Sequence, residues 1–374
     1  MKVCILSMQK VQNFGSLLQS YSLKKIIESL GHEVSFIDIE PIPEDDKLLM
    51  SNRQGYDCEK EKYSKNKVIR FISKVDKYFF NRIKIRKLSN EQDKIFEEFR
   101  IKYLNIKEES NYGQYDICVI GSDEVFNCLT KSNWGFTSQL FGNVKQAKRV
   151  ITYAASCGST SFDLLPKQVG EKIKSVFKDV CAFSVRDKNT EIFVKSLSDK
   201  EVNVHFDPVI VGNLDSEINA IENINNLPEH YCVVYAYYNR VYKPEEIDGL
   251  IKFCNKHNLK IIAAGAPQMW IKDYYVLNPF QLLKLFEKAD FIYTDTFHGT
   301  IFASKYASKF AVISRESNKN KLLDLVFKLG VDKHLIDNIS EIDKTYNVIN
   351  DFEKNRKICE NAYKNTINYL KENI

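Results

Sequence analysis

Residues 2–39 read KVCILSMQKVQNFGSLLQSYSLKKIIESLGHEVSFIDI and contain a complete strand–helix–strand pattern. A short apolar run is followed by a polar loop, and then by apolar residues at helical spacing that end at Gly31, a typical helix stop. A second apolar run follows directly. A strand, a helix and a strand at this spacing form a βαβ unit, which implies parallel strands. The sequence therefore predicts an α/β protein.

The same alternation continues along the chain in two sets. Residues 43–110 interrupt the first set with a stretch that is rich in Lys and Glu and predicted mostly helical. The first set ends near residue 212, a polar stretch follows, and the second set occupies residues 230–345. We therefore predict an N-terminal Rossmann-like lobe over 1–212, with a helical insertion at about 43–110, and a C-terminal Rossmann-like lobe over 230–345. The remaining residues, 346–374, are predicted to form a long helix that packs back on the first lobe.

The composition supports this organisation and narrows the protein class. A chain of 374 residues exceeds one ordinary core, and 44% apolar with 28% charged residues is typical of a folded soluble protein. No run approaches the ~18 apolar residues of a membrane span, and the N-terminus is predicted to be a first strand rather than a signal peptide. The nine cysteines include no CxxC pair. We expect a reducing cytoplasm, with neither disulfides nor a structural metal.

The net charge of +5 is concentrated in one segment. Residues 59–88 hold eleven Lys or Arg against three Asp or Glu, a net +8, so the rest of the chain is acidic. This distribution argues against nucleic-acid binding. An apolar stripe is predicted on a helix of the same segment, at Val68, Phe71, Ile72, Val75 and Phe79. Two alternatives stay open: a helix packed on the first lobe with a solvated basic face, or peripheral contact with an anionic membrane.

Polar residues cluster after the predicted strands, at the edge where open parallel sheets bind ligands. Each has a structural explanation as well, because Asp, Ser and Asn cap helices and turns. Their concentration in one layer favours a functional site. The set comprises Asn13, Gly15, Ser122, Asp123, Ser156, Arg186, Asp187, Asp207, Asp295, Thr296, His298 and Gly299.

His298 stands out because it lies between a predicted strand and a helix predicted to begin at Gly299. A helix N-terminus favours anions, and a glycine lets an anion approach the backbone closely. A histidine at this point could donate a proton or bind the anion. The alternative is a structural histidine that is paired with Asp295.

Arg186 follows a predicted buried strand, so its side chain is expected to emerge at the sheet edge. A guanidinium there suits bidentate binding of carboxylate or phosphate. The alternative is a surface ion pair with Asp187 or with a neighbouring helix.

Seven segments, in this order, resemble the polysaccharide pyruvyl transferase family. The chain departs from the usual motifs in four places: Phe14 replaces Tyr, Glu124 replaces Gln, Phe126 replaces Trp and Thr296 replaces Ser. Glu124 puts a charge where an amide is usual, so acceptor choice would differ if this position touches the acceptor. The segments are NFGSLLQSYSLKKIIESLGHEVSFID, YDICVIGSDEVFN, ITYAASCG, SVRD, FDPVI, DFIYTDTFHGTIFAS and NKNKLLDLVFKLGV.

The resemblance implies a GT-B-like fold, with the two lobes facing across a cleft. It implies transfer of the enolpyruvyl carbon of phosphoenolpyruvate to two hydroxyls of a sugar, which gives a cyclic ketal and phosphate. His298 maps onto the family's histidine and is the expected general acid, with Asp295 or Asp123 as the base. No metal or cofactor is expected beyond phosphoenolpyruvate as co-substrate. The expected substrate-binding residues are Arg186, Asn13, Gly15, Ser122, Ser156, Thr296 and Gly299.

The expected acceptor is a sugar of a bacterial surface polysaccharide, such as a capsule, or its lipid-linked precursor. We accordingly expect a cytoplasmic enzyme of cell-envelope biosynthesis that has no nucleic-acid partner. Two alternatives remain: a GT-B glycosyltransferase that uses a nucleotide sugar, and a non-catalytic binding protein of the same fold. The acceptor sugar, the stereochemistry of the ketal and the oligomeric state are left open by the sequence.

Overall fold

The computed structural model describes residues 1–51, 75–129, 136–238, 240–315 and 318–374. Residues 59–74 of the basic segment lie outside these residues, and so do Val68, Phe71 and Ile72 of the predicted apolar stripe. Both hypotheses about that segment therefore remain predictions.

The described strands form two separate parallel sheets. Their bounds in the first sheet are β1 Lys2–Leu6, β2 Glu33–Phe36, β3 Tyr115–Asp123, β4 Ala147–Ala155, β5 Val180–Val185 and β6 Val202–Val204. Their bounds in the second sheet are β7 Tyr231–Ala236, β8 Lys260–Gly265, β9 Phe291–Thr294, β10 Phe310–Ile313 and β11 Leu335–Ile336. The spatial orders are β2-β1-β3-β4-β5-β6 and β11-β10-β9-β7-β8. This topology confirms the predicted α/β class with two lobes.

Helices connect the strands and cover the sheets. Central strands such as β1 are buried on both faces, as parallel sheets covered by helices require. The helices of the described residues are α1 Phe14–Ser29, α2 Glu44–Ser51, α3 Val75–Phe99, α4 Lys167–Val176, α5 Lys188–Lys195, α6 Pro208–Val211, α7 Asp215–Asn219, α8 Pro244–Lys256, α9 Pro279–Lys288, α10 Phe297–Tyr306, α11 Lys319–Leu329, α12 Ile342–Tyr346 and α13 Phe352–Asn373.

In each sheet there is one pair of adjacent strands from which the chain connections run towards opposite edges of the sheet. In the first sheet β1 lies between β2 and β3, and in the second sheet β7 lies between β8 and β9. Ligands of open α/β sheets bind in the crevice at the carboxyl ends of such strand pairs. The loops after β1, β3, β7 and β9 therefore mark where a site is expected.

The lobes are joined by a continuous apolar core. Phe14 of α1 packs edge-on against Tyr235 of β7, with 6.5 Å between ring centroids. Tyr21 contacts Phe280 of α9 in the same way at 5.3 Å. Helix α3 also bridges the lobes, because the Gln92 amide bonds both the N–H and the carbonyl of Leu277. This packing holds the two sheets in a defined mutual position.

The C-terminal helix α13 contacts the first lobe. The Tyr369 hydroxyl donates to the carbonyl of Thr152, at 2.9 Å, and Thr366 bonds the hydroxyl of Tyr153 at 2.8 Å. The helix begins at Phe352 rather than at 346, since residues 342–346 form the separate short helix α12. Within the described residues, none of the helices is long and apolar enough to cross a membrane.

Candidate active site

Asp207 occupies the place where the two lobes meet. Its Oδ2 lies 2.9 Å from Nη1 of Arg186, in the first lobe, and 3.4 Å from Nε2 of His298, in the second. Asp207 is fully buried and Arg186 is 5% exposed. A second carboxylate, Asp123, lies 3.6 Å from Nη2 of the same arginine. The arrangement connects residues that are far apart in the sequence through one carboxylate.

Asp207 and Arg186 are held in their charged forms. Burial alone would raise the pKa of Asp207, but His298 and Arg186 outweigh it and lower that pKa to about 2. Burial opposes the charge of Arg186, yet Asp123 and Asp207 together raise its pKa above the ordinary value. A carboxylate and a guanidinium that are both charged therefore face each other in a dry environment.

Arg186 directly follows β5 and is buried, so the alternative of a surface ion pair is not what the structure has. Its guanidinium stacks over the ring of Phe297 at 4.2 Å from the ring centroid. Asp207 draws it inward because a buried carboxylate requires a paired cation. Nε of Arg186 has no hydrogen-bond partner among the described residues. One N–H of this side chain thus remains unsatisfied.

His298 lies in the first turn of α10, not just before the helix as predicted. The helix begins at Phe297 because Thr296 is its N-cap, and the Thr296 hydroxyl accepts from the N–H of Gly299 at 2.9 Å. The Gly299 amide is therefore already bonded within the cap. Nε2 of His298 is buried and has no hydrogen-bond partner in the described part of the chain.

Gly15 lies directly against the His298 ring. A Cβ at residue 15 would overlap with that ring, so only glycine allows this approach. Gly15 lies in the first turn of α1, and the N-cap of that helix is Asn13. The Asn13 side chain accepts from the N–H of Gly15 at 2.7 Å. The start of α1 in the first lobe and the start of α10 in the second therefore meet at His298.

Asp123 ends β3 in an unusual backbone conformation. Its φ of 76° lies in the left-handed region, which is costly for a residue with a Cβ. Its Oδ2 accepts from the Ser16 hydroxyl at 2.8 Å. Strained residues persist where the surroundings fix them, and this one presents a carboxylate beside Arg186.

Asp295 belongs to a different charge cluster. Its Oδ2 lies 3.1 Å from Nε of Arg240 and accepts from Nε of Arg315 at 3.0 Å, and Arg315 also pairs with Glu246. Burial raises the pKa of Asp295, while the two arginines act against the rise. Among the described residues, the carboxylate next to His298 is Asp207. The alternative of a structural histidine paired with Asp295 is therefore not what the structure shows.

Ser122 and Ser156 lie in the predicted layer but bond inward. The Ser122 hydroxyl donates to the carbonyl of Ala154 at 3.1 Å and lies 3.4 Å from Asp207. The Ser156 hydroxyl donates to Asp187, the N-cap of α5, at 2.7 Å. Both serines are buried, so these contacts position the loops that carry Asp123 and Arg186.

Glu124 forms an ion pair across the lobes. Its Oε1 lies 2.8 Å from Nζ of Lys321 on α11, and its other oxygen accepts from Asn127. Burial opposes ionisation, but Lys321 leads a set of groups that lower the pKa of Glu124 below its ordinary value. The charge that replaces the usual amide is thus neutralised by the opposite lobe.

The prediction missed several of these partners. Asp207 is among the predicted strand-end residues but has no role assigned from the sequence, whereas Arg240 and Arg315 are not among them. These two follow β7 and β10, so the strand-end rule could have found both. Lys321 and Glu246 lie on helices, and nothing local in the sequence indicates their contacts. Among the described residues, no three His, Cys, Asp or Glu side chains are grouped to hold a metal ion.

Comparison with known families bears on this arrangement. The family model described as polysaccharide pyruvyl transferase matches residues 13–317. The chain belongs to this family. As a polysaccharide pyruvyl transferase family member it is a transferase, and the matched region includes the residues of both lobes that meet at Asp207.

Solved structures resemble this family member at low identity. The UDP-GlcNAc 2-epimerase from Methanocaldococcus jannaschii has 13% identity and a TM-score of 0.48, with both chains covered completely. The sucrose-phosphate synthase from Thermosynechococcus elongatus has 8% identity and a TM-score of 0.45, over 100% of this chain and 98% of that one. Among curated proteins, none has a sequence that matches this chain.

Proposed function

We propose that this transferase forms a pyruvate ketal on a sugar, with phosphoenolpyruvate as donor. One observation supports this above the others. A buried histidine with an unbonded Nε2 lies beside a charged Asp207–Arg186 pair, where loops of the first sheet meet the loop after β9 of the second. The reaction needs a proton donor and a cationic contact for an anionic donor substrate at one place. Both are present within this group of residues.

The proposed reaction balances as follows. One sugar hydroxyl adds to C2 of phosphoenolpyruvate while a proton adds to the C3 methylene, which becomes a methyl group. The second hydroxyl then bonds to C2 as the C2–O bond to phosphate breaks. Phosphate leaves with the electron pair of that bond. Of the two hydroxyl protons, one replaces the proton delivered to C3 and the other is released to phosphate or to solvent.

His298 is the proposed source of the proton for C3. Its Nε2 lies 3.4 Å from the Asp207 carboxylate, and its ring packs against Gly15. A positioned general acid contributes roughly 10²–10⁴-fold to such a step. Asp207 is therefore proposed to be a positioning residue, one that keeps the histidine oriented.

Arg186 and Asp123 complete the proposal. Arg186 is held by Asp207 and Asp123, which leaves its Nε proton as the unsatisfied donor for an anionic group of phosphoenolpyruvate. Asp123 is the proposed base for a sugar hydroxyl. It is favoured over Asp295, because Asp295 is already shared by Arg240 and Arg315.

The proposed acceptor is a sugar of a bacterial surface polysaccharide or of its lipid-linked precursor. The family description supports a saccharide acceptor. An enzyme that acts on a lipid-linked sugar would work at the inner face of the membrane, where the basic segment 59–88 would meet anionic lipid. The net positive charge of that segment supports this location.

The test is incubation of the protein with phosphoenolpyruvate and a panel of sugars and lipid-linked saccharides. The expected result is phosphate release together with an acceptor whose mass has increased by one ketal, and loss of both in His298→Ala. Release of a nucleotide from a nucleotide sugar, with no turnover of phosphoenolpyruvate, would identify a glycosyltransferase instead. Saccharide binding without any turnover would identify a binding protein.

A further inference from the structure

The loop that follows β7 carries three exposed tyrosines. Tyr237, Tyr238 and Tyr242 expose 43%, 57% and 50% of their surfaces. Large aromatic side chains dominate cores and interfaces, so several exposed ones in a single loop indicate a binding surface. We call these three residues the tyrosine platform.

The platform lies beside the proposed active site. Its strand, β7, pairs directly with β9, whose following loop leads through Asp295 to His298. The guanidinium of Arg240 lies 5.3 Å from the Tyr237 ring centroid, and its Nε lies 3.1 Å from Asp295. The platform therefore borders the crevice of the second sheet.

Tyr237 is influenced by charges of the first lobe. The pKa of its phenol is raised, first by its partly enclosed position and then by the negative charges of Glu124 and Asp123, which belong to the loop after β3.

Polar contacts hold the backbone of this loop at Tyr237 and at Val241. The Gln268 amide donates to the carbonyl of Tyr237 at 2.9 Å and accepts from the N–H of Val241 at 3.2 Å. The Trp270 indole N–H donates to the carbonyl of Val241 at 2.8 Å. Since Gln268 is itself buried, the backbone at Tyr237 and at Val241 is held in place, which reduces the entropy lost on binding.

We infer that the tyrosine platform binds a pyranose ring of the acceptor saccharide, an inference that rests on the proposed function. A phenol ring offers an apolar face to the C–H face of a sugar, and its hydroxyl can bond a sugar hydroxyl. Arg240 and Asp295 beside Tyr237 form an ion pair, and Glu124 is paired with Lys321, so the surface favours an uncharged ligand. The anionic donor is bound instead near Arg186, and the platform supplies acceptor affinity and selectivity.

The experiment has a binding arm and a kinetic arm. In the first, saturation-transfer NMR without phosphoenolpyruvate uses methyl glycosides of galactose, glucose, mannose and N-acetylglucosamine. The wild-type protein is expected to bind at least one of them, and Tyr238→Ala and Tyr242→Ala are expected to lose the signal. Tyr238→Phe and Tyr242→Phe keep the ring and are expected to retain most of it. The matched control is Tyr112→Ala, since Tyr112 is 81% exposed but lies shortly before the amino end of β3.

In the kinetic arm, each Ala variant is expected to raise the acceptor KM about tenfold with an unchanged phosphoenolpyruvate KM. Unchanged saccharide binding and acceptor KM in both Ala variants would overturn the platform while the proposed function stands. Absence of saccharide binding by the wild-type protein would overturn it as well. Saccharide binding that the Ala variants lose, in a protein that never consumes phosphoenolpyruvate, would support the platform and refute the proposed function.

Discussion

Asp207→Asn is expected to destabilise the protein by about 3 kcal/mol at neutral pH. The substitution keeps the side-chain oxygen that accepts from the N–H of Val209 at 3.0 Å, so the cap of α6 survives. It removes the charge that pairs with Arg186, whose guanidinium is almost fully buried. Breaking a buried ion pair on one side costs about 3–5 kcal/mol, and Asp123 at 3.6 Å offsets part of that cost.

The pKa of Asp207 gives a second route to the magnitude. A fall from the ordinary value of 3.8 to about 2 corresponds to about 2.5 kcal/mol in the free energy of unfolding. Because the folded-state pKa is the lower one, this contribution is fully present above about pH 5 and is lost as the pH falls towards 2. The difference between wild type and variant should therefore narrow in acid.

The assay is urea unfolding followed by circular dichroism, at pH values from neutral down to about 3. Asp116→Asn is the control, since Asp116 pairs with Lys148 at 2.9 Å on the exposed surface and its loss should hardly move the urea midpoint. A loss below about 1 kcal/mol in Asp207→Asn would refute the reasoning. So would a difference from wild type that stays constant through the acid range.

Three further predictions concern turnover. His298→Ala should lower kcat by about 10²-fold or more, measured as phosphate release, with a modest fall in Tm because the ring is buried against Gly15. Gly15→Ala should lower kcat comparably, because the added methyl group displaces the His298 ring. Gly170→Ala is the control, since open space surrounds that position and kcat should not change. Equal kcat values for Gly15→Ala and Gly170→Ala would count against this packing. Arg186→Lys should raise the phosphoenolpyruvate KM more than the acceptor KM, since lysine keeps the charge but loses the planar fork; the reverse pattern would assign Arg186 to acceptor binding.

The sequence alone determined the architecture and the family. The alternation of apolar runs with helical spacing predicted two parallel sheets, because side-chain burial on strands and helices follows from local periodicity. The motifs around His298 and Arg186 indicated the polysaccharide pyruvyl transferase family, which the match over residues 13–317 shows. Periodicity and motifs are both properties of residues that lie close together in the sequence.

The tertiary structure decided which residues become partners. Asp207 contacts both Arg186 and His298, Asp295 pairs with Arg240 and Arg315, and Arg186 is buried rather than part of a surface ion pair. The contact between His298 and Asp207 depends on how the packing of α1 and α9 positions the two lobes, whereas the other contacts join neighbouring strand ends within one lobe. The strength of an ion pair depends on the distance between the charges and on their burial. Neither quantity is determined by the residues next to a charged side chain in the sequence.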